Sequence, residues 1–191
     1  MISFKKLKIN NHVLKNRYVV SPMCQYSANK GNPSDWHYFH LAKLAMSGAS
    51  TLMLESTAVS EEGKISVKDL TLKDKTNEKN LKKLIIFLKK FSDIKIGIQI
   101  SHSGRKGSSF VPWIKSNFPL DKGKWKTYAP SAIRRDKHWP IPTELNLTQI
   151  KKIKNEFLIA AKRANRIGFD CLEIHMAHGY LLHQFFSKNI K

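Results

Sequence analysis

The segment Glu173-Ile174-His175-Met176-Ala177-His178-Gly179-Tyr180 sets two imidazoles and a phenol within six residues of one another. Imidazole N–H groups can polarise a carbonyl oxygen, and a phenol beside them can donate a proton. A metal reading competes through Cys171, His175, His178 and His183, but no carboxylate completes a usual ligand spacing. Packing histidines are the plainer alternative. Gln99 carries an amide that both donates and accepts, which suits a heterocycle edge or an inward-facing strand position. Cys24 follows Ser21-Pro22-Met23, and a cysteine there is more often a small hydrophobe than a reactive thiol. Tyr26 is a loop aromatic beside it. The stretch Ser101-His102-Ser103-Gly104-Arg105-Lys106-Gly107 superficially resembles a phosphate cradle, yet it departs from G-x-x-x-x-G-K-[ST].

These groups must be carried by a scaffold, and short apolar runs alternating with amphipathic stretches predict βαβ units and a parallel sheet. Strands are expected at Tyr18–Val20, Thr51–Leu54, Ile94–Ile100 and Asp170–Ile174. Helices are expected from a Ser34 cap to about Gly48, from about Asn77 to Phe91, and from a Thr148 cap to Gly168, with another starting near Tyr180. The first should bury Trp36, His40, Leu41, Leu44 and Ala45. The third should present Ile150, Ile153, Phe157, Ala160, Ala161 and Ala164. A long connection, about His102 to Leu147, holds five prolines and three tryptophans, and loops of that length are usually functional. The polar residues collect after each strand, at Ser21 to Tyr26, Glu55 to Ala58, Gln99 to Lys106 and His175 to Tyr180. In a (β/α)₈ barrel all four groups share the C-terminal rim, where active sites form. An open doubly wound sheet binds mostly at one switch point, and no G-x-G-x-x-G is present.

Length and charge narrow the function. The chain has 191 residues, enough for one core and too few for two ordinary domains, so residues 1–191 read as one unit. No apolar run reaches membrane-span length, no secretory signal opens the sequence, and two cysteines make no disulfide scaffold. A soluble cytoplasmic protein without membrane partners is expected. The formal charge of +20 invites a basic nucleic-acid-binding module. Lysine supplies most of it, spread along the chain, whereas arginine is favoured for bidentate phosphate and base contacts. A solvated lysine surface without a specific nucleic-acid partner is the better reading.

Five motifs in order make the chain similar to the N-terminal half of the Old Yellow Enzyme family, the FMN-dependent NAD(P)H ene-reductases. They are Leu14-Lys15-Asn16-Arg17, Ser21-Pro22-Met23-Cys24-Gln25-Tyr26-Ser27, Ile98-Gln99-Ile100-Ser101-His102-Ser103-Gly104-Arg105-Lys106, Ala129-Pro130-Ser131-Ala132-Ile133, and Glu173-Ile174-His175 through His183-Gln184-Phe185-Phe186-Ser187. Ser-Pro-Met-Cys with Tyr26, and paired histidines, resemble the bacterial subclass of thermophilic-like ene-reductases and xenobiotic reductases.

The resemblance implies a (β/α)₈ TIM barrel, here about its first four βα units, with FMN across the C-terminal rim. It implies that Ser21, Pro22, Met23, Cys24 and Ala58 line the flavin and that Gln99 contacts its pyrimidine edge. His175 and His178 would hold a substrate carbonyl, Tyr180 would donate the proton, and Tyr26 would face the substrate. No metal is implied. The implied reaction is ping-pong: NAD(P)H reduces FMN, and hydride then adds to an activated alkene such as an α,β-unsaturated carbonyl. The family pattern departs at Lys188-Asn189-Ile190-Lys191. The later flavin-contacting arginine and the phosphate-binding loops of the family would lie in a C-terminal half that these residues do not include. A non-catalytic remnant is therefore a second expectation, and a homo-oligomer or a pairing with the missing half a third.

Overall fold

The computed structural model describes residues 1–188, so the departure at Asn189-Ile190-Lys191 lies outside the described residues. Four parallel strands form the central sheet in the order β3 (Val19–Val20), β4 (Thr51–Ala58), β5 (Lys95–Ser101) and β8 (Cys171–Ile174). Spatial order follows chain order, with a helical crossover between each pair. That is the winding of the first four units of a (β/α)₈ barrel. Helix α1 (Asp35–Ala45) follows β3, α2 (Lys75–Leu88) follows β4, and α4 (Leu147–Ile167) follows β5.

Strand alternation builds the core. Leu52 and Leu54 of β4 and Ile96, Ile98 and Ile100 of β5 are almost fully buried in one cluster. The cluster takes Leu81, Leu84, Ile85 and Leu88 from α2, spaced so that one helical stripe faces the sheet. Burying each such side chain stabilises the fold by roughly 1.5–3 kcal/mol. On the opposite face Gly97 of β5 is squeezed between Met53 and Cys171. A Cβ there would lie 2.3 Å from the Met53 sulfur and 2.4 Å from the Cys171 sulfur, so any larger residue would have to push both sulfurs aside.

Helix ends follow side-chain chemistry. Asp74 caps α2 by accepting from the Asn77 amide at 2.9 Å, which starts the helix two residues before the sequence expectation. Asn146, not Thr148, caps α4, because Asn146 and Gln149 exchange reciprocal hydrogen bonds of 2.9 Å. Gly168 ends α4 in the left-handed conformation, φ 95°, as expected. In α1 the expected Trp36 is 48% exposed, and the fully buried polar residue is instead His37.

Two other features lay outside the expectations. An antiparallel hairpin, β1 (Leu7–Ile9) with β2 (His12–Leu14), precedes the sheet and turns at Asn10, φ 50°. The long connection is not structureless: it holds a one-turn helix, α3 (Pro112–Lys115), and a short parallel pair, β6 (Tyr128–Ala129) with β7 (Thr143–Glu144). A final helix, α5 (Leu181–Phe186), starts after Tyr180.

Candidate active site at the C-terminal rim

β4 runs to Ala58, four residues beyond the expected end, because it keeps pairing with β5 through Ala58 and Ser101. The ladder shifts register between Leu54 and Ser56, so Glu55 is an extra, bulged residue. A bulge re-aims its side chain. The Glu55 carboxylate is buried and accepts from the Gln25 backbone amide at 2.6 Å. Its other oxygen lies 2.8 Å from Nε2 of His37. His37 Nδ1 accepts from the Ser34 amide at 3.1 Å, which puts the ring proton on Nε2, facing Glu55. Trp36 Nε1 donates to the Gln25 side chain at 3.0 Å. The loop after β3 is thereby tied to β4 and α1. Sequence alone places Glu55 only at the head of the polar group after the second strand, without a role, and does not single out His37. A bulge leaves no sequence signature, and a lone histidine one position off the expected helix face gives none either.

That loop presents Ser21, Pro22, Met23, Cys24 and Tyr26. Met23 is half exposed at the rim. Cys24 is tucked below, and burial first, then Asp69 and Glu55, pushes its thiol up to about 12, although the Ser56 backbone and Tyr26 hydrogen bonds pull the other way. It is a neutral thiol at ordinary pH and a poor nucleophile. Ala58 is buried at the end of β4, and Ser56 and Ser101 hydroxyls meet at 2.6 Å between β4 and β5. Gln99 on β5 donates through Nε2 to Glu173 on β8 at 2.6 Å, and its carbonyl oxygen remains an acceptor.

Beyond β8 the chain turns over the rim. His175 is buried, and its Nδ1 accepts from the Ala177 amide at 3.2 Å, so Nε2 carries the proton. Burial and the neighbouring His178 hold His175 below the usual imidazole range, which keeps it a neutral N–H donor. His178 adopts φ 55° and Gly179 φ 70°, a double left-handed turn that swings Tyr180 back over the histidines. The His175 ring lies 5.1 Å from that of His178 and 4.7 Å from that of Tyr180, both edge to face. Burial, then Cys24 and Asp69, holds the Tyr180 phenol above its ordinary range, so it keeps its proton. Tyr26, His178 and Tyr180 line one cavity of about 230 Å³. Cys171 instead contacts the Met53 sulfur at 3.6 Å, away from this group. Among the described residues no three His, Cys, Asp or Glu side chains are placed to share a metal ion. Also among them, no helix is long and apolar enough to cross a membrane.

The loop after β3, the Gln99 amide and the histidine–histidine–tyrosine cluster thus meet at the carboxyl ends of the strands, the face on which TIM barrels build their sites. The NADH:flavin oxidoreductase / NADH oxidase family matches residues 3–191, and the chain belongs to that family. It is 43% identical to an NADH:flavin oxidoreductase of Gibberella zeae, over 96% of this chain and 46% of that protein. It is 40% identical to an NADPH dehydrogenase of Clostridium acetobutylicum, over 96% of this chain and 50% of that one. The chain thus spans about half the length of the curated relatives it matches. Among solved structures, morphinone reductase superposes with a TM-score of 0.85 at 21% identity, covering 99% of this chain and 51% of its own. An Old Yellow Enzyme from Pichia sp. AKU4542 gives 0.85 at 23%, covering 100% and 50%. At those identities the likeness is one of fold.

Proposed function

We propose that these residues form part of an FMN-dependent NAD(P)H oxidoreductase of the ene-reductase type, of the thermophilic-like or xenobiotic-reductase subclass. One observation carries it: His175, His178 and Tyr180 converge just beyond the end of β8, with ring separations of 4.7 to 6.4 Å. The residues present fit the ring system of a flavin. Pro22 and half-exposed Met23 offer a shelf, Ala58 adds no bulk, and the Gln99 amide faces a polar edge. FMN held there would supply hydride taken from NAD(P)H to the β-carbon of an α,β-unsaturated carbonyl, in a ping-pong sequence.

The chain's own groups do the rest. His175 Nε2–H and the His178 ring donate to the substrate carbonyl oxygen, where negative charge grows in the transition state. Tyr180 holds its proton until the α-carbon needs it. Tyr26 lines the same cavity as Tyr180 and would face the substrate.

Ser21, Pro22, Met23, Cys24, Ala58 and Gln99 include no cation and suit the ring rather than the phosphate. The test is a flavin fluorescence titration of the 191-residue chain. FMN and riboflavin should bind with affinities within about a factor of ten, and both should be lost in Gln99→Ala together with Met23→Asp. Absence of any flavin binding would support the non-catalytic remnant instead.

A further inference from the structure

The cavity that Tyr26, His178 and Tyr180 share has a second chemistry on its outer side. Lys106 and Arg135 both line it, and among the described residues no carboxylate does. Neither cation enters an ion pair with any described residue, in a chain where Glu78 alone gathers Arg163 and Arg166. Both are held in place. Lys106 donates to the His178 carbonyl and sits 5.8 Å from the Tyr180 ring centre. The Arg135 guanidinium stacks 4.7 Å from the ring centre of Trp139, which is 2% exposed, and donates to Asn117 Oδ1 at 3.0 Å. A guanidinium with five donors, one committed to Asn117, keeps others for an oxyanion. Burial and then Arg135 hold the Lys106 ammonium below its usual range, so the two charges repel across the cavity. An anion between them relieves that repulsion and replaces lost water with charge-assisted hydrogen bonds.

We propose that Arg135, with Lys106, forms an oxyanion subsite that selects alkene substrates bearing a carboxylate. The proposal rests on the ene-reductase reading for the alkene, but the subsite itself rests only on the two unpaired cations and their cavity. The carbonyl end of such a ligand meets His175, His178 and Tyr180, and its carboxylate extends toward Trp139. The phosphates of a nicotinamide dinucleotide carry the same oxyanion chemistry and are the alternative source.

The test titrates the 191-residue chain with a cyclohexenone carrying a tethered carboxylate and with the matching carboxamide. NMR follows the Arg135 Nε–H and the His178 and Tyr180 rings. The carboxylate should bind about tenfold tighter. Arg135→Gln should erase the preference, and Arg135→Lys should keep most of it. Arg134→Gln, which removes an exposed neighbouring charge, should leave it unchanged. Equal affinities, or a preference surviving Arg135→Gln, would overturn the subsite. If neither enone moves the rings while inorganic phosphate still shifts Arg135 Nε–H in the wild type but not in Arg135→Gln, the subsite stands and the enone reading fails. A tighter binding of NADPH than NADH that vanishes in Arg135→Gln, without a carboxylate preference, would overturn the substrate assignment and give the subsite to the nucleotide.

Discussion

The Glu55 carboxylate lies 2.8 Å from Nε2 of His37, and the two side chains are only 4% and 1% exposed. The other Glu55 oxygen holds the Gln25 amide, so one bulged residue fixes the loop that carries Cys24 and Tyr26. Replacing Glu55 with Ala leaves a buried imidazole N–H and a backbone N–H without acceptors. Each orphan costs about 1–3 kcal/mol. Glu55→Ala should therefore lower the urea midpoint sharply and speed amide exchange at Gln25, and Glu55→Gln should recover part of both. Unchanged exchange at Gln25 would remove Glu55 from its positioning role.

Two buried groups bias stability with pH in opposite directions. Burial pushes Asp69 from 3.8 up to about 7, against the lowering hydrogen bonds from Ser66 and the backbone amides. Burial pushes His102 from 6.5 down to about 4. Between about pH 4.5 and 6, folded Asp69 keeps a proton that the unfolded chain has lost, so its contribution falls as pH rises. Over the same range unfolded His102 holds a proton that the folded chain refuses, so its contribution rises with pH. Asp69→Asn should make stability climb with pH there, and His102→Asn should make it fall, each by up to about 1.4 kcal/mol per pH unit. Slopes of the same sign in the two variants would contradict the assignment.

Among the described residues the sheet ends on both sides in strands with one partner: β3 pairs only with β4, and β8 only with β5. Beside β8, Ile174, Met176 and Phe186 are exposed at 49%, 46% and 67%. Open edges next to an apolar surface template association. The 191-residue chain should sediment as oligomers despite its charge. A monodisperse 22.0 kDa monomer that unfolds cooperatively would refute this.

Periodicity in the sequence reported the four sheet strands and three long helices, because each carries a one-sided apolar pattern. It also placed His175, His178 and Tyr180 after a strand, where the structure brings their rings together. It missed the Leu7–Leu14 hairpin, whose strands are short and mostly exposed and so carry no alternation. It ended β4 at Leu54 because Glu55 breaks the apolar run. Only the pairing with β5 shows that the chain bulges there and continues. Arg135 was invisible as a site residue because its meaning comes from Trp139, Asn117 and Lys106, which converge only in the folded connection.

The central claim is that His175, His178 and Tyr180 serve the alkene and not the nicotinamide. Stopped-flow kinetics separates the two half-reactions in a protein where these 191 residues are joined to a second half from a full-length relative. His175→Ala with His178→Ala should slow flavin reoxidation by an enone by about 10²–10³ for each donor lost. Tyr180→Phe should slow it by up to about 10²–10⁴. Flavin reduction by NAD(P)H should change far less in both variants. Equal losses in the two half-reactions would contradict the roles given to all three residues.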